Sequence, residues 1–435
     1  MLILILFIFF LVCLVLGIPV AFGLGFTAVI GIIVSKVPII AVAFRMFSGV
    51  DKYPLLAIPF YICAGNIMTS CGITDRLINL SNALIGFIRS SLAQVNILAS
   101  IFFAGISGSD VADATAIGSA LIPIMKKKNY TSEEAAIITG TSSIIGPIIP
   151  PSIRMIIYGA LTGTSVIGLF LAGILPGLLL GFSLMIMTHI LSLKRTNSMG
   201  NKVGNKGEER LKFSLSRAFI ALKENIYTIP IPIIVVGGIY SGIFTVTEAG
   251  VVLLFYNLMI GSFIYKTLTY EKLKNTLLDS AMTTALVGFI IAAATVFSYL
   301  LSVRDFAPWL MNATQSFQEN PMVFMLLITF IFFLLGCFVP VTVILIIFAS
   351  YLPIMQSVTG LHPLHFGLII VLVLGLGAIT PPYGTVLYIV VYIAKTTVIR
   401  CIPTLLPYII TMIITLLIVI FFPWLSLYIP QLLGF

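Results

Sequence analysis

The sequence predicts an all-α polytopic membrane protein built from two inverted repeats. Of its 435 residues, 60% are hydrophobic and only 9% are charged, whereas soluble domains carry about 25% charged residues. The apolar residues form long runs that lack the alternation of a membrane β-barrel. Apolar runs broken by Gly and Pro occur at corresponding places in both halves of the chain, which is typical of secondary transporters. We therefore expect each repeat to hold a re-entrant helical hairpin and a broken transmembrane helix.

Composition also excludes several functional classes. The net charge is +9, but no basic domain with interleaved aromatic residues predicts nucleic-acid binding. Because cytoplasmic loops of membrane proteins are enriched in Lys and Arg, the positive charges indicate which loops face the cytoplasm. The five cysteines have no metal-ligand spacing, so we expect no transition-metal site. No HExxH, GxSxG or Walker A motif is present, so we expect a protein that is not an enzyme and draws on an ion gradient.

The first repeat is predicted to span residues 1–193. The N-terminal apolar run lacks a basic n-region, so it is expected to be retained as transmembrane structure. Gly17 and Pro19 divide this run into two short spans. The predicted elements, in order, are spans at 1–17, 19–35 and 54–70, an amphipathic interfacial helix at 75–92, the hairpin at 93–125, a broken span at 133–165 and a span at 166–193.

The hairpin holds the most informative stretch, GISGSDVADATAIGSALIPIM at residues 105–125. Polar and acidic groups are costly inside a bilayer and are usually kept there for function. A Ser-Gly-Ser break also frees backbone groups, which are tolerated at membrane depth only inside protein or beside a wet cavity. We interpret this stretch as a hairpin tip that binds an ion. The alternative is an ordinary extramembrane loop whose Asp residues cap a helix.

The second half repeats this plan after a linker predicted at residues 194–225, which begins with the only strongly polar stretch of the chain. The second repeat is predicted to span 226–435. Its expected elements are spans at 226–241, 246–266 and 281–302, an interfacial segment at 303–319, a hairpin at 321–355, a broken span at 364–393 and a final span at 403–427.

Three landmarks support the repeat. Gly146 of GPIIPP corresponds to Gly377 of GAITPP (377 − 146 = 231), and the Pro-Ile-Met at 123–125 recurs at 353–355 (353 − 123 = 230). Phe60 corresponds to Phe289 (289 − 60 = 229). With both hairpins re-entrant, the basic clusters, Arg89 among them, fall on the cytoplasmic side, and both termini are expected to be periplasmic.

Hairpin tips and broken spans are expected to supply oxygen ligands. Helix halves that end inside the membrane point carbonyls at cations, and Na⁺ prefers oxygen ligands. We predict one Na⁺ site per repeat, with the substrate between the tips. Each hydroxyl could instead donate a hydrogen bond to a backbone carbonyl one turn back in its own helix. The residues whose hydroxyl oxygens could bind Na⁺ are Ser107, Ser109, Ser142, Ser143 and Ser152 in the first repeat and Thr380 and Thr385 in the second.

Asp113 and Arg154 are the charged candidates. Asp113 would either cap the outgoing hairpin helix or neutralise a cation. Arg154 follows the Pro-Pro break and would pair with a substrate carboxylate, pair with Asp113, or extend to the interface. We place both in the predicted substrate site with Asn66 and Thr385.

Several long motifs together resemble the large membrane subunit of TRAP (tripartite ATP-independent periplasmic) transporters, within the ion-transporter superfamily. The resemblance covers nearly the whole chain. It rests on AIPFYICAGNIM (57–68), LAQVNILASIFFAGISGSDVADATAIGSALIPIM (92–125), GPIIPPS (146–152), GGIYSGIFTVTEAG (237–250) and GLGAITPPYG (375–384).

The resemblance implies a Na⁺-coupled importer of organic acids in the bacterial inner membrane, working by an elevator mechanism. It implies two partners, a periplasmic substrate-binding protein and a small four-helix membrane subunit. It also implies two or more Na⁺ ions. The implied sodium regions are Ser107, Gly108, Ser109, Gly146, Pro150 and Ser152 in the first repeat and Gly336, Gly377, Thr380 and Pro381 in the second.

This chain departs from the family at two positions. Pro340 stands where the family commonly has Asp at the second tip, and Arg154 stands where Pro is common. An acidic role at the second tip is therefore not expected. The alternative function is a stand-alone sodium/carboxylate symporter without a binding protein. A further alternative, from a different functional class, is a channel or an intramembrane enzyme.

Overall fold

The computed structural model describes residues 2–88, 90–198, 215–314, 317 and 319–435. Every regular element in these ranges is helical. Arg89, which the topology argument used, and most of the predicted linker, residues 199–214, lie outside the described residues, as do residues 315, 316 and 318 of the predicted interfacial segment.

The described part of residues 1–198 contains ten α-helices. A single 3-10 turn, Tyr53–Leu56, precedes the fourth of them. The helices are α1 (Leu2–Val15), α2 (Val20–Val34), α3 (Ile40–Val50), α4 (Ala57–Ser70), α5 (Ile73–Ile85), α6 (Ser91–Ser107), α7 (Asp110–Lys127), α8 (Ser132–Ser143), α9 (Ile153–Thr162) and α10 (Val166–Ser198).

Twelve further α-helices follow in the described residues from 215 onward. A π-helical turn, Ile260–Ile264, extends the third of them. They are α11 (Leu215–Glu224), α12 (Pro230–Tyr240), α13 (Val246–Met259), α14 (Tyr270–Val303), α15 (Phe306–Thr314), α16 (Pro321–Phe338), α17 (Val341–Phe348), α18 (Leu352–Thr359), α19 (Pro363–Ile379), α20 (Thr385–Ala394), α21 (Val398–Phe421) and α22 (Trp424–Leu432).

Length and composition identify a multi-pass membrane protein, as predicted. Among the described residues five helices are long and apolar enough to cross a bilayer, namely α10, α13 with its π turn, α14, α16 and α21. The number rises to seven if two bent pairs each count as one span. The first pair joins α4 and α5 at 69°, and the second joins α17 and α18 at 78°.

Four elements differ from the sequence predictions. The return arm of the hairpin predicted at 321–355 is broken, because α17 ends at Phe348 and α18 leaves it at an angle of 78°. The short helix α3 was not expected, because its apolar run is too brief to span a bilayer. The predicted final span 403–427 divides, since Pro423 lacks an N–H to continue α21 and instead precedes α22. Helix α14 begins eleven residues before the predicted 281, where Thr269 caps it by accepting from the Lys272 amide at 3.4 Å.

The centre of the molecule is formed by the leading halves of the two broken spans. Every residue of α19 from Leu364 to Ile379 is buried, and so is every residue of α8 from Ala135 to Ser143. A helix that is buried on all sides must be apolar, or its polar groups must be hydrogen-bonded within the protein. The trailing halves cross over, since α20 packs against α7 and α8 while α9 packs against α17 and α19. Each repeat's broken span therefore touches the other repeat's hairpin.

A second group of helices lies beside this centre. Helix α14 packs against α2, α3 and α4, and α13 packs against α4. Asn66 on α4 donates to Ser280 Oγ on α14 at 2.9 Å, and Asn257 on α13 donates to the Ala64 carbonyl at 3.1 Å. Polar cross-links of this kind fix the relative positions of helices in a membrane.

Candidate functional site

The first hairpin tip lies directly against the first break. Asn96 near the start of α6 lies 3.5 Å from the Met125 sulfur near the end of α7, so the two helices run antiparallel. Gly108 between them has φ +63°, and a Cβ there would lie 2.3 Å from the Pro151 carbonyl oxygen. The Gly108 carbonyl accepts from the Ile153 amide at 3.3 Å. Only glycine suits both the left-handed conformation and this close approach.

The second tip is built in the same way. The ring centroids of Phe332 on α16 and Phe348 on α17 are 5.4 Å apart, so these helices also fold back on each other. The Cys337 carbonyl accepts from the Tyr383 amide at 2.9 Å. The donor Tyr383 lies 230 residues after the donor of the first tip (383 − 153), and the acceptor Cys337 lies 229 residues after the acceptor of the first tip (337 − 108). Each tip is thus tied to its own break by one backbone hydrogen bond.

The close approach at the second break gives a testable expectation for stability. A Cβ on Gly377 would lie 2.5–2.9 Å from the backbone of Gly336. Because two backbones would have to move apart, we expect Gly377→Ala to destabilise the protein by about 1–3 kcal/mol. Thermal unfolding in detergent measures this. Gly288→Ala on α14, where a Cβ meets nothing within 4 Å, is the matched control, and an equal loss in both variants would contradict the tight packing.

Asp113 is the buried acid of the first tip. Its side chain is fully buried. Its Oδ1 accepts from Ser107 Oγ, whereas its Oδ2 is buried without a hydrogen-bond partner. A Cβ on Gly146 would lie 2.5 Å from Oδ2, so this oxygen faces the first break. Leaving a buried carboxylate oxygen unsatisfied is costly, and a cation removes that cost.

Most of the other predicted hydroxyls are already engaged in hydrogen bonds, and Ser152 Oγ also accepts from the Met155 amide at 3.2 Å. Ser109 Oγ accepts only weakly, from the Ala112 amide at 3.4 Å, where it caps α7. Ser142 instead joins a buried network with Ser100 and Asn96. The remaining hydroxyls donate to carbonyls: Ser143 to Gly140 (2.8 Å), Ser152 to Pro147 (2.6 Å) and Thr380 to Leu376 (2.8 Å).

Backbone dominates the second break. Pro150 and Pro381 lie at matching places in the two breaks (381 − 150 = 231). Around Pro381 the nearby tip offers Val339 and Pro340, which have no polar side-chain atom. Coordination there would therefore come mainly from carbonyl oxygens and Thr380 Oγ1, while the first break also has a carboxylate.

Arg154 pairs with Asp110. Its Nη2 donates to Asp110 Oδ2, and both residues are buried, with 8% and 4% of their surface exposed. Asp110 is the first residue of α7, and Arg154 is the second residue of α9. The alternative in which Arg154 pairs with Asp113 is wrong, because Asp113 lies one turn further along α7 and bonds to Ser107.

A cavity of about 550 Å³ lies between the tips. Three of the four predicted substrate residues line it, namely Asn66, Arg154 and Thr385, while Asp113 does not. The residues of both tips that reach it are Ser107, Gly108, Ser109 and Asp110 from the first and Pro340, Val341 and Thr342 from the second. The space between the tips, where the sequence predicts the substrate, is thus an open cleft of ligand size.

Sequence reasoning missed one polar wall of this cavity. Thr276, Asp279 and Thr283 on α14 line it. Their spacing of three and four residues places them on one helix face. The signal was present in the sequence, but Thr276 and Asp279 precede the predicted start of the span at 281, so the polar face they form with Thr283 was not recognised. Among the described residues no cluster of three or more His, Cys, Asp or Glu side chains could hold a metal ion.

Comparison with known proteins identifies relatives over the full length. A family model described as "Tripartite ATP-independent periplasmic transporter, DctM component" matches residues 7–425. The chain is 36% identical over 418 residues to the sialic acid TRAP transporter large permease protein SiaM of Vibrio cholerae, covering 96% of this chain and 95% of that one. It is 32% identical over 438 residues to the C4-dicarboxylate TRAP transporter large permease protein DctM of Rhodobacter capsulatus, covering 96% of each. It is also 35% identical to the isethionate TRAP transporter permease protein DctMQ of Oleidesulfovibrio alaskensis, covering 93% of this chain and 62% of that one.

Proposed function

The chain belongs to the DctM component family of tripartite ATP-independent periplasmic transporters, and we propose that it is the permease subunit of a Na⁺-coupled importer of organic acids. The named relatives are transporter permeases and not enzymes. Their names include sialic acid, C4-dicarboxylates and isethionate, which are all organic anions. The proposed substrate position is the cavity between the two tips.

The observation that carries sodium coupling is the unsatisfied Asp113 Oδ2. It is a buried carboxyl oxygen that faces Gly146 across the first break. Na⁺ is a hard cation that takes carboxylate, hydroxyl and carbonyl oxygens, and all three kinds occur here. The groups proposed to bind the co-transported ion are those of Ser107, Gly108, Ser109, Asp113, Ser143, Gly146, Pro150 and Ser152. A second ion would be held mainly by carbonyls of Gly336, Gly377, Thr380 and Pro381.

The packing supports an elevator mechanism. Helix α20 rests on α7 and α9 rests on α17, so each hairpin packs against the other repeat's broken span. The hairpins and broken spans would therefore move as one body. The helices α2, α3, α4, α13 and α14 would form the scaffold beside it. The cavity lies between the two groups, since α4 and α14 supply one wall and the tips supply the other.

Partners and location follow from the tripartite system. We propose that a periplasmic substrate-binding protein delivers the acid and that a small four-helix membrane subunit binds this chain. The relative named DctMQ supports the second partner, because this chain covers only 62% of its length. The assembly would lie in the inner membrane with both termini of this chain periplasmic.

Uptake in proteoliposomes tests the proposal. With the small subunit reconstituted and the binding protein loaded with radiolabelled acid, we expect uptake to require an inward Na⁺ gradient. Uptake that persists in K⁺ would overturn sodium coupling. Uptake that does not need the binding protein would overturn the tripartite mechanism in favour of a stand-alone symporter.

Serine variants locate the ion. We expect Ser107→Ala and Ser109→Ala each to weaken the apparent Na⁺ affinity by about 10-fold or more, the effect of losing one oxygen contact to a charged group. Ser119→Ala on the same hairpin is the matched control, because Ser119 Oγ donates to the Ala116 carbonyl at 3.0 Å and does not line the cavity. Equal Na⁺ affinity in all three variants would exclude the first tip as the ion site.

A further inference from the structure

Helix α11 has an exposed apolar side next to its buried side. Ala221 and the following Asn225 are buried where α11 packs against α5. At 3.6 residues per turn, Phe219 and Leu222 lie on the adjoining side, and they are 69% and 48% exposed. Ile226, in the turn that follows the helix, is 56% exposed. Exposed apolar side chains grouped on one side of a helix mark a surface that binds another apolar surface.

The remaining side of α11 is polar. Its exposed residues, with Ile220 as the apolar exception, are Ser216, Arg217, Lys223 and Glu224. The helix has ten residues and is therefore about 15 Å long, half of what a bilayer core of about 30 Å requires. A helix that is too short to cross and has one apolar and one charged side is suited to lying in the membrane interface.

Contacts place the end of α11 at the membrane boundary. Residues 265–269 connect α13 and its π turn to α14, and both of these elements are long and apolar enough to cross a bilayer. The Tyr265 hydroxyl in this connection donates to the Glu224 carbonyl at 3.5 Å and lies 3.3 Å from Thr228 Oγ1. Because a connection between two spans must lie at the bilayer surface, the end of α11 lies there too.

This boundary carries an excess of positive charge. The exposed cations on α11, in the connection and in the first turns of α14 are Arg217, Lys223, Lys266, Lys272 and Lys274, and the exposed acids there are Glu224 and Glu271. The balance is 5 − 2 = +3, and Asp75 and Arg76 on the neighbouring α5 cancel each other. None of the five cations forms a salt bridge within the described residues. The positive-inside rule places such a cluster on the cytoplasmic side.

From these exposures, contacts and charges we propose that α11 is an interfacial anchor that binds anionic phospholipid headgroups of the cytoplasmic leaflet. The lipid phosphates pair with Arg217 and Lys223, while the side chains of Phe219, Leu222 and Ile226 enter the acyl region beneath them. Each Lys or Arg close to an anionic leaflet adds to the attraction. The proposal concerns a surface away from the cavity between the tips, and it does not depend on sodium coupling or on the identity of the acid.

The small membrane subunit is the competing occupant of this surface. The buried centre of a protein–protein interface is depleted in charged residues, and Lys is under-represented there. Here Lys223 directly follows Leu222 of the apolar side, and the other cations lie around the same boundary. Covering them with protein would leave several charges to be desolvated, whereas anionic headgroups pair with them at the level where they lie.

Quenching of a tryptophan by brominated lipids tests the proposal. Phe219→Trp, made in a Trp309→Phe/Trp424→Phe background that removes both native tryptophans, places one indole on the apolar side. The complex with its small subunit is reconstituted in mixed phosphatidylglycerol and phosphatidylcholine vesicles, with bromine on the acyl chains of one lipid at a time. The difference in emission from the background protein isolates the introduced indole. We expect phosphatidylglycerol to be favoured next to it at least about 5-fold, the contribution of one Lys or Arg close to an anionic surface.

A tryptophan on the polar side is the control for depth. Glu224 lies five residues after Phe219, which is about 140° around the helix. We expect the indole of Glu224→Trp to be quenched at most about half as strongly by either lipid, because that side faces water. No quenching of Phe219→Trp by either brominated lipid would show that protein covers the apolar side, and the proposal would be wrong.

Removal of the cations tests the choice of lipid. We expect Arg217→Gln/Lys223→Gln to lower the preference for phosphatidylglycerol at least about 3-fold. Lys36→Gln/Arg304→Gln is the matched control, because Arg304 follows the far end of α14 and donates to Ser35, beside Lys36, at 3.0 Å. This control should keep the full preference. An unchanged preference in the first pair, or equal quenching by both lipids in the parent Phe219→Trp protein, would overturn the role of the headgroup charge.

Salt provides an independent check. Raising the ionic strength from about 0.01 to 1 M shortens the Debye length from about 30 to 3 Å, so we expect the preference for phosphatidylglycerol to fall at least about 3-fold while the total quenching stays the same. A preference that salt does not change would contradict electrostatic binding of the headgroups.

Discussion

Arg154→Gln is expected to destabilise the protein by about 3–5 kcal/mol, the usual cost of leaving one charge of a buried ion pair without its partner. Asp110 is only 4% exposed and lies in the first turn of α7, so loss of the guanidinium would leave its carboxylate largely desolvated. The pair also connects the first tip to α9 across the first break. Chemical or thermal unfolding of the purified protein measures the loss.

The double variant Asp110→Asn/Arg154→Gln separates pairing from packing. We expect it to regain most of the lost stability, because replacing both members of a buried pair removes the uncompensated charge. Arg45→Gln is the control arginine, since Arg45 lies 4.0 Å above the Tyr299 ring at the surface and should cost no more than about 1 kcal/mol. If the double variant were as unstable as Arg154→Gln, the ion pair would not be the source of the effect.

Uptake by the same variants tests whether Arg154 also binds the substrate. If it also binds the substrate carboxylate, the double variant should fold and yet take up the acid at least about 10-fold more slowly, as expected for the loss of a charged hydrogen bond. Uptake at the normal rate by this variant would show that Arg154 only holds the tip against the break.

The sequence alone predicts the tips and breaks well because their causes are local. Gly108 must adopt φ +63°, and the Pro-Pro pairs cannot continue a helix. Both features are visible as residue types at fixed positions. The helices on either side also began and ended within a few residues of the predicted bounds, since apolar runs define them, except that α17 ends at Phe348 instead of continuing to residue 355.

Contacts between distant parts of the chain could not be predicted in the same way. Asp110 and Asp113 both lie in the first turn of α7, and only the packing of α9 shows that Asp110, 44 residues from Arg154 in the sequence, forms the pair. The wall on α14 was missed for a different reason. Charged residues such as Lys272 and Lys274 near the start of α14 ended the apolar run, although the helix itself continues through them.

Asp113→Asn is expected to abolish most of the Na⁺ coupling while leaving the fold intact. The asparagine carbonyl can still accept from Ser107 Oγ, so the tip keeps its hydrogen bond, but the buried negative charge is lost. A carboxylate a few ångströms from a cation at an effective dielectric of about 20 contributes up to ~4 kcal/mol, so we expect the apparent Na⁺ affinity to fall by about 100-fold or more. The Na⁺ dependence of uptake in proteoliposomes measures it.

The control for Asp113 is Asp75→Asn in the first turn of α5, where the side chain is exposed and lies outside the cavity. It should leave the Na⁺ dependence unchanged. Removing a charge from a buried site that has no counter-ion among the described residues should relieve a cost when Na⁺ is absent. Asp113→Asn is therefore expected to be more stable than the parent protein in K⁺ and less stabilised by Na⁺. Equal stabilisation of both proteins by Na⁺ would mean that the ion binds away from Asp113, and the sodium site at the first tip would be wrong.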